Sequence, residues 1–296
     1  MIRGLESSLY AYNQTLNRII EYIDIAVFYA KEKGYFIPPT MKDDILQLYD
    51  EEEDEELPKP EEVFKDEEVK ARCKLVDEEV KAFISSCIRD KEQLQRLLFK
   101  HEDYKSNTFI TNIKVIYDKI NENNGIIIFS QYYDTAFYLY NAIKNYINDV
   151  MLVSGIKCID RDGNFSNDSK IIKDFKKGGG ILVTTDKLSA GQNLQNAQYV
   201  INYDFPWNPV ILIQRAGRVD RLGSKYDEVY LLNILPSNRD PDNPSSLTHF
   251  LSVFEKLNKR LMAINETIGL DASHLGEHAM PKDFSIYIKI ATNGFC

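Results

Sequence analysis

The strongest constraint on the fold is a change of texture at residue 125. From there, short apolar runs at 126–129, 150–154, 181–184, 199–203 and 228–235 alternate with amphipathic stretches. Those stretches lie at 132–146 and 166–177, with a short one near Leu188 and another opening at Pro209. Short runs dominated by Ile, Val, Leu and Phe suit strands that are covered on both faces. Repeated strand-then-helix order with such strands predicts an α/β fold, a parallel sheet with right-handed crossovers and helices on both faces. Ligands of these sheets collect at the carboxyl ends of the strands. Each polar stretch singled out below directly follows a strand.

The most informative of these stretches is 203–224, YDFPWNPVILIQRAGRVDRLGS. Asn208 is an N-cap residue and Pro209 a first helical residue, so a helix is expected to open there. Gln214-Arg215-Ala216-Gly217-Arg218-Val219-Asp220-Arg221 has the form Q-R-x-G-R-x-x-R. If the helix continues, Gln214, Arg218 and Arg221 fall at i, i+4 and i+7 on one side, and Arg215 points away from them. Gly217 beside them lets another surface approach. Two guanidiniums next to a glycine suit the grip of a polyphosphate. The ordinary alternative, a solvated basic face, leaves the cap and the preceding strand unexplained. Trp207, in the same segment, is expected to be a packing anchor.

Two further strand-end loops carry polar groups. Ser130-Gln131 follow the run 126–129; a serine there is also a common helix cap. The second is TTDKLSAGQNLQ, residues 184–195. Its compact donors Thr184 and Thr185 suit phosphate contacts, while Gly191 permits close backbone approach and Asn193 presents an amide. The ordinary alternative is a plain strand-to-helix turn. Gly178-Gly179-Gly180 follows a helix and precedes a strand, so it is expected to stop that helix. A phosphate loop needs G-x-x-x-x-G-K-[ST], a pattern absent from this sequence. His274 and His278 have the H-x-x-E-H order of some zinc sites, but in a short unpatterned tail, and no metal is assigned to them.

Residues 5–33 read as a long amphipathic helix ended by Gly34, with Pro38-Pro39 beyond it. Residues 43–68 are dense in Asp and Glu and poor in apolar groups, so a flexible insert is expected. Helical spacing returns at 69–98 and at 108–121. After a turn-rich 236–244, residues 246–268 read as another amphipathic helix. The net charge of −9 disfavours nucleic-acid binding by the whole surface. Four scattered cysteines without C-x-x-C spacing suit a reducing compartment. With no signal peptide and no apolar run of membrane length, the expected location is cytoplasmic, with no membrane partner.

The 203–224 stretch resembles the last conserved motif of superfamily-two helicases. Within them it is most similar to the Swi/Snf-like and RNA-polymerase-associated bacterial branch, whose members share a Y-D-x-P-W-N-P lead-in. Ser130-Gln131 and the 184–195 loop resemble the fourth and fifth motifs. RGLESSLYAY, residues 3–12, resembles the R-x-L-E-S-S-x-Y-A-F helix that opens the second motor domain in that branch. The resemblance covers 125–235 and, less fully, 3–33.

It implies a RecA-like fold with a helical N-terminal extension and a C-terminal helix. The parts would be a helical segment at 1–40, the acidic insert at 41–68, a helical segment at 69–122, the RecA-like helicase C-terminal domain at 123–236, and a linker, helix and tail at 237–296. Arg218 and Arg221 would contact the ATP γ-phosphate, one of them as arginine finger, with Gln214 beside them. Gly191, Asn193 and Gly217 would lie against the nucleotide, and Ser130, Gln131, Thr184 and Thr185 against nucleic acid. ATP and Mg²⁺ would be held by a missing N-terminal RecA-like ATP-binding domain, on the same chain or a separate one. DNA is expected ahead of RNA, because the branch works mostly on duplex DNA. One departure is Ala190, where many relatives carry an acidic residue. The competing expectation is a non-catalytic RecA-like binding module.

Overall fold

The computed structural model describes residues 7–41, 60–64, 66–100, 103–119, 124–189, 193–204, 206, 209–219, 224, 226 and 228–234. The chain divides into two compact units, one of residues 13–101 and one of residues 1–12 with 102–296.

The smaller unit is helical. Helix α1 (Leu9–Phe28) runs into a π-turn at Tyr29–Lys33 and stops at Gly34, whose φ is 72°. Helices α2 (Pro60–Val63), α3 (Glu67–Cys73) and α4 (Asp77–Arg96) follow. Asp66 caps α3, its carboxylate accepting from the amides of Glu68 and Val69. The core of this unit is Ile25, Tyr29, Ile37, Val63, Phe64 and Cys73. Part of the stretch expected to be a flexible insert therefore holds structure. Residues 42–59 lie outside the described residues, but Val63 and Phe64 are buried. They are a pair of apolar side chains in an acidic run, enough to fasten its end to the core.

The larger unit is the expected α/β sheet. Helix α5 (Tyr104–Lys119) leads to β1 (Gly125–Phe129), α6 (Tyr133–Lys144), β2 (Val150–Val153) and β3 (Cys158–Ile159). Helix α7 (Asp168–Gly178), β4 (Gly180–Thr184), β5 (Ala197–Asn202), α8 (Pro209–Ala216) and β6 (Tyr230–Asn233) complete it. The strand order is β3-β2-β4-β1-β5-β6, parallel throughout except for β3, which pairs antiparallel with β2. β3 is a two-residue edge strand too short for any apolar run to announce it. This is a mostly parallel α/β sheet, as the resemblance implies. The expected helix at 246–268 and the histidines of the tail lie outside the described residues.

Alternation along the strands divides the core between two faces. Ile126, Ile128, Val150, Leu152, Ile181 and Val183 pack with Phe109 and Ile113 of α5 and Leu139 and Ile143 of α6. Ile127, Phe129, Met151, Val153 and Leu182 pack with Ile171, Ile172 and Phe175 of α7. The triple glycine does stop a helix. Gly179 and Gly180 adopt φ of 65° and 89°, and a Cβ on Gly180 would stand 2.5 Å from the Asp149 carboxylate.

Candidate functional site

The carboxyl ends of β1, β4 and β5 lie side by side, and two buried polar clusters join the loops that leave them. The first centres on Asp204, just past β5 and only 4% exposed. Its Oδ2 accepts from Ser7 Oγ and from Ser130 Oγ, both at 2.6 Å, and its Oδ1 accepts from the Gln131 amide at 2.7 Å. Ser7 and Ser8 each share a hydrogen bond with Thr135 Oγ1 at 2.8 Å. One carboxylate thus ties the serines before α1, the loop after β1 and the end of β5 into one assembly. Tyr203 beneath it shares a 2.6 Å hydrogen bond with Ser106, and burial pushes its phenol well above the usual range.

The second cluster centres on Arg215, whose side chain is fully buried on α8. Its Nε and Nη2 donate to Asp186 Oδ1, and its Nη1 donates to Asn202 Oδ1 at 2.7 Å. The guanidinium lies 4.8 Å from the Phe129 ring centroid, and Asn202 donates in turn to Asn233 Oδ1. Backbone adds a further link, Leu194 N–H to Arg218 O at 3.0 Å. The loop after β4 and the arginine-bearing segment are thereby held in fixed register.

The sequence-derived residues fall into three groups. Gln214 is exposed and Arg218 half-buried, but they do not share a helical face. α8 ends at Ala216, and 217–219 form a turn closed by Arg218 N–H to Arg215 O and Val219 N–H to Ala216 O. Gly217 belongs to that turn, where a helical run would meet residues poor at propagating it. Arg215 does point away from Gln214, into the core. Ser130 and Thr184 are buried, and their hydroxyls have internal partners, Thr184 Oγ1 donating to Val153 O at 2.8 Å. Thr185 is buried as well, so of Ser130, Gln131, Thr184 and Thr185 only Gln131 is partly exposed. Asn193 is exposed and donates to Gln195 Oε1. Arg221, Gly191, Trp207 and Asn208 lie outside the described residues.

Sequence reasoning gave no role to Asp204, Arg215, Asp186 or Ser7. All four sit inside stretches it quoted. A buried carboxylate or guanidinium carries no periodic signature, so only the matched motif marked their neighbourhood.

The family model of the helicase conserved C-terminal domain matches residues 105–223. The chain is 29% identical over 171 residues to the uncharacterized ATP-dependent helicase YqhH of Bacillus subtilis, covering 57% of this chain and 29% of that protein. It is 26% identical over 133 residues to the RNA polymerase-associated protein RapA of Vibrio campbellii, covering 44% and 13%. The matched stretch thus spans less than a third of either relative's length. The crystal structure of T4 UvsW superimposes with a TM-score of 0.38 at 16% identity, covering 55% of this chain and 32% of that one. The C-terminal domain of the DEAD-box protein Dbp5 gives 0.35 at 22% identity, covering 54% and 78%.

Proposed function

We propose that this chain, whose residues 105–223 match the helicase conserved C-terminal domain, supplies the second motor half of an ATP-dependent nucleic-acid helicase or translocase. The observation that carries the proposal is the Asp186–Arg215 clamp. It brings the loop after β4 and the arginine-bearing turn together at the carboxyl edge, where ligands of parallel sheets bind. Arg218 and Arg221 then stabilise charge on the transferring phosphoryl group, one of them as arginine finger. Gln214 is assigned to the same nucleotide, and close approach to it is assigned to the backbone at Gly191, Asn193 and Gly217. The triphosphate and Mg²⁺ are assigned to a first motor domain, on this chain or another, because the motif that would cradle them is not in this sequence. Nucleic acid, duplex DNA ahead of RNA, is assigned to the two strand-end loops that carry Ser130-Gln131 and Thr184-Thr185, where Gln131 is the partly exposed side chain.

An arginine finger accelerates turnover without holding the nucleotide's metal. In a motor reconstituted with a first domain, Arg221→Ala should keep nucleotide affinity and lower ATP turnover by about 10³ or more. Arg221→Lys should recover little, since an ammonium cannot reproduce the planar fork. Steady-state phosphate release with nucleic acid present is the assay. Turnover unchanged in Arg221→Ala would leave a binding module as the function of this chain.

A further inference from the structure

A separate group of exposed side chains stands at the edge of the sheet beyond β2. Two tight turns present it. In the first, 154–157, the Ser154 hydroxyl accepts from the amides of Ile156 and Lys157 and donates to Lys157 O. In the second, 160–164, Asp160 Oδ1 accepts from the amides of Asp162 and Asn164, with Gly163 at a φ of 89°. The first turn leaves Ile156 69% exposed and the second leaves Phe165 77% exposed. Large apolar groups in water on turns this well bonded are held there by the fold, and the arrangement suits recognition.

Lys157 lies between two rings, its Nζ 5.7 Å from the centroids of both Phe165 and Phe137. Phe137 is stacked on Tyr133, one turn earlier in α6, at 5.7 Å. The strip therefore runs from the loop after β1, through Tyr133 and Phe137, to Lys157 and Phe165. Aromatic rings interleaved with a cation are the chemistry that holds an unpaired nucleotide, the base on a ring face and the phosphate at the cation. Two exposed apolar side chains and one lysine fall well short of the area that a stable protein partner needs.

We propose that Phe165 and Lys157 form a stacking platform for an unpaired nucleotide of a bound strand, with Tyr133 and Phe137 as its base. This rests on the helicase function proposed above and deepens it, because it makes single-stranded nucleic acid part of the substrate. Phe165 stacks on a base, Lys157 neutralises a neighbouring phosphate, and the two turns keep both side chains in place before the strand arrives.

The test is fluorescence anisotropy of the full chain at low salt with labelled oligothymidylate, oligouridylate and a blunt duplex. Phe165→Ala should weaken single-strand binding by about five-fold or more, the lower bound for one stacked base. It should leave duplex binding and the melting temperature unchanged, and Phe165→Tyr should restore affinity. Lys157→Ala should reduce the salt slope on single strands by about 0.7, one phosphate contact. If Phe165→Ala binds single strands like the wild type while Gln131→Ala weakens them, the platform is overturned and the helicase function stands. An equal loss on duplex and single strands also overturns it, since a surface contact and not base stacking would be responsible. A wild-type chain that binds none of the three probes overturns both.

Discussion

Replacing Arg215 by Met should destabilise the sheet unit more than any change at an exposed arginine. The substitution removes a fully buried guanidinium that donates to Asp186 and Asn202. Removing one partner of a buried ion pair costs about 3–5 kcal/mol. Asp186 is 36% exposed, so water can rehydrate its carboxylate and the cost falls towards the lower end. Asn202 Oδ1 is buried and loses its donor, which adds about 1 kcal/mol. Together these give about 3–4 kcal/mol, a large share of the roughly 5–15 kcal/mol that holds a domain folded. For a unit of this size, each kcal/mol moves the melting temperature by about 2–4 °C, so a drop of about 6–16 °C is expected. Circular dichroism melting and urea titration measure it. A double-mutant cycle with Asp186→Asn should return a coupling of about 1.5 kcal/mol or more. Arg215→Lys should rescue little, because one ammonium cannot span both acceptors. If Arg215→Met melts within about 1 °C of the wild type, the clamp is not what joins these two segments.

Two further outcomes are expected. Asp204→Ala leaves Ser7, Ser130 and the Gln131 amide without their acceptor, and should cost about 2–4 kcal/mol in urea unfolding; faster exchange of the Gln131 amide hydrogen should accompany it, and wild-type exchange would count against the cluster. Tyr22 donates to Ile37 O, and burial, with a smaller contribution from Cys87, pushes its phenol from 10.0 to about 12. Because the folded value lies above the unfolded one, its stabilising effect is complete below pH 10 and is lost as pH rises towards about 12. Tyr22→Phe should flatten the fall in melting temperature over that window, and an unaltered profile would refute the assignment.

The parallel sheet was legible because its cause is local. Strands covered on both faces must be short, apolar and β-branched, and 126–129 and 181–184 could take no other role once helical stretches separated them. The end of α1 at Gly34 and the stop at Gly179 were legible for the same reason, since backbone conformation there selects the residue. The motif loops were placed correctly at strand ends, yet the work of individual side chains within them was not. Ser130 and Thr184 look like phosphate donors along the chain, but packing turns their hydroxyls inward to Asp204 and Val153. Arg215 looks like one cation among three, but α8 buries it and ends one residue later, which also breaks the expected face of Gln214 and Arg218.

Apart from the two-residue β3, the sequence by itself determined the order of strands and helices in the sheet unit, the loops that carry polar groups and the helicase resemblance. Each depends on periodicity or on residues adjacent in the chain. Only the tertiary structure decided which polar groups face a ligand and which hold the fold. Ser7 meets Asp204 across nearly two hundred residues, and Asp186 meets Arg215 across twenty-nine. Whether such a group is satisfied inside the protein depends on partners that no local pattern encodes.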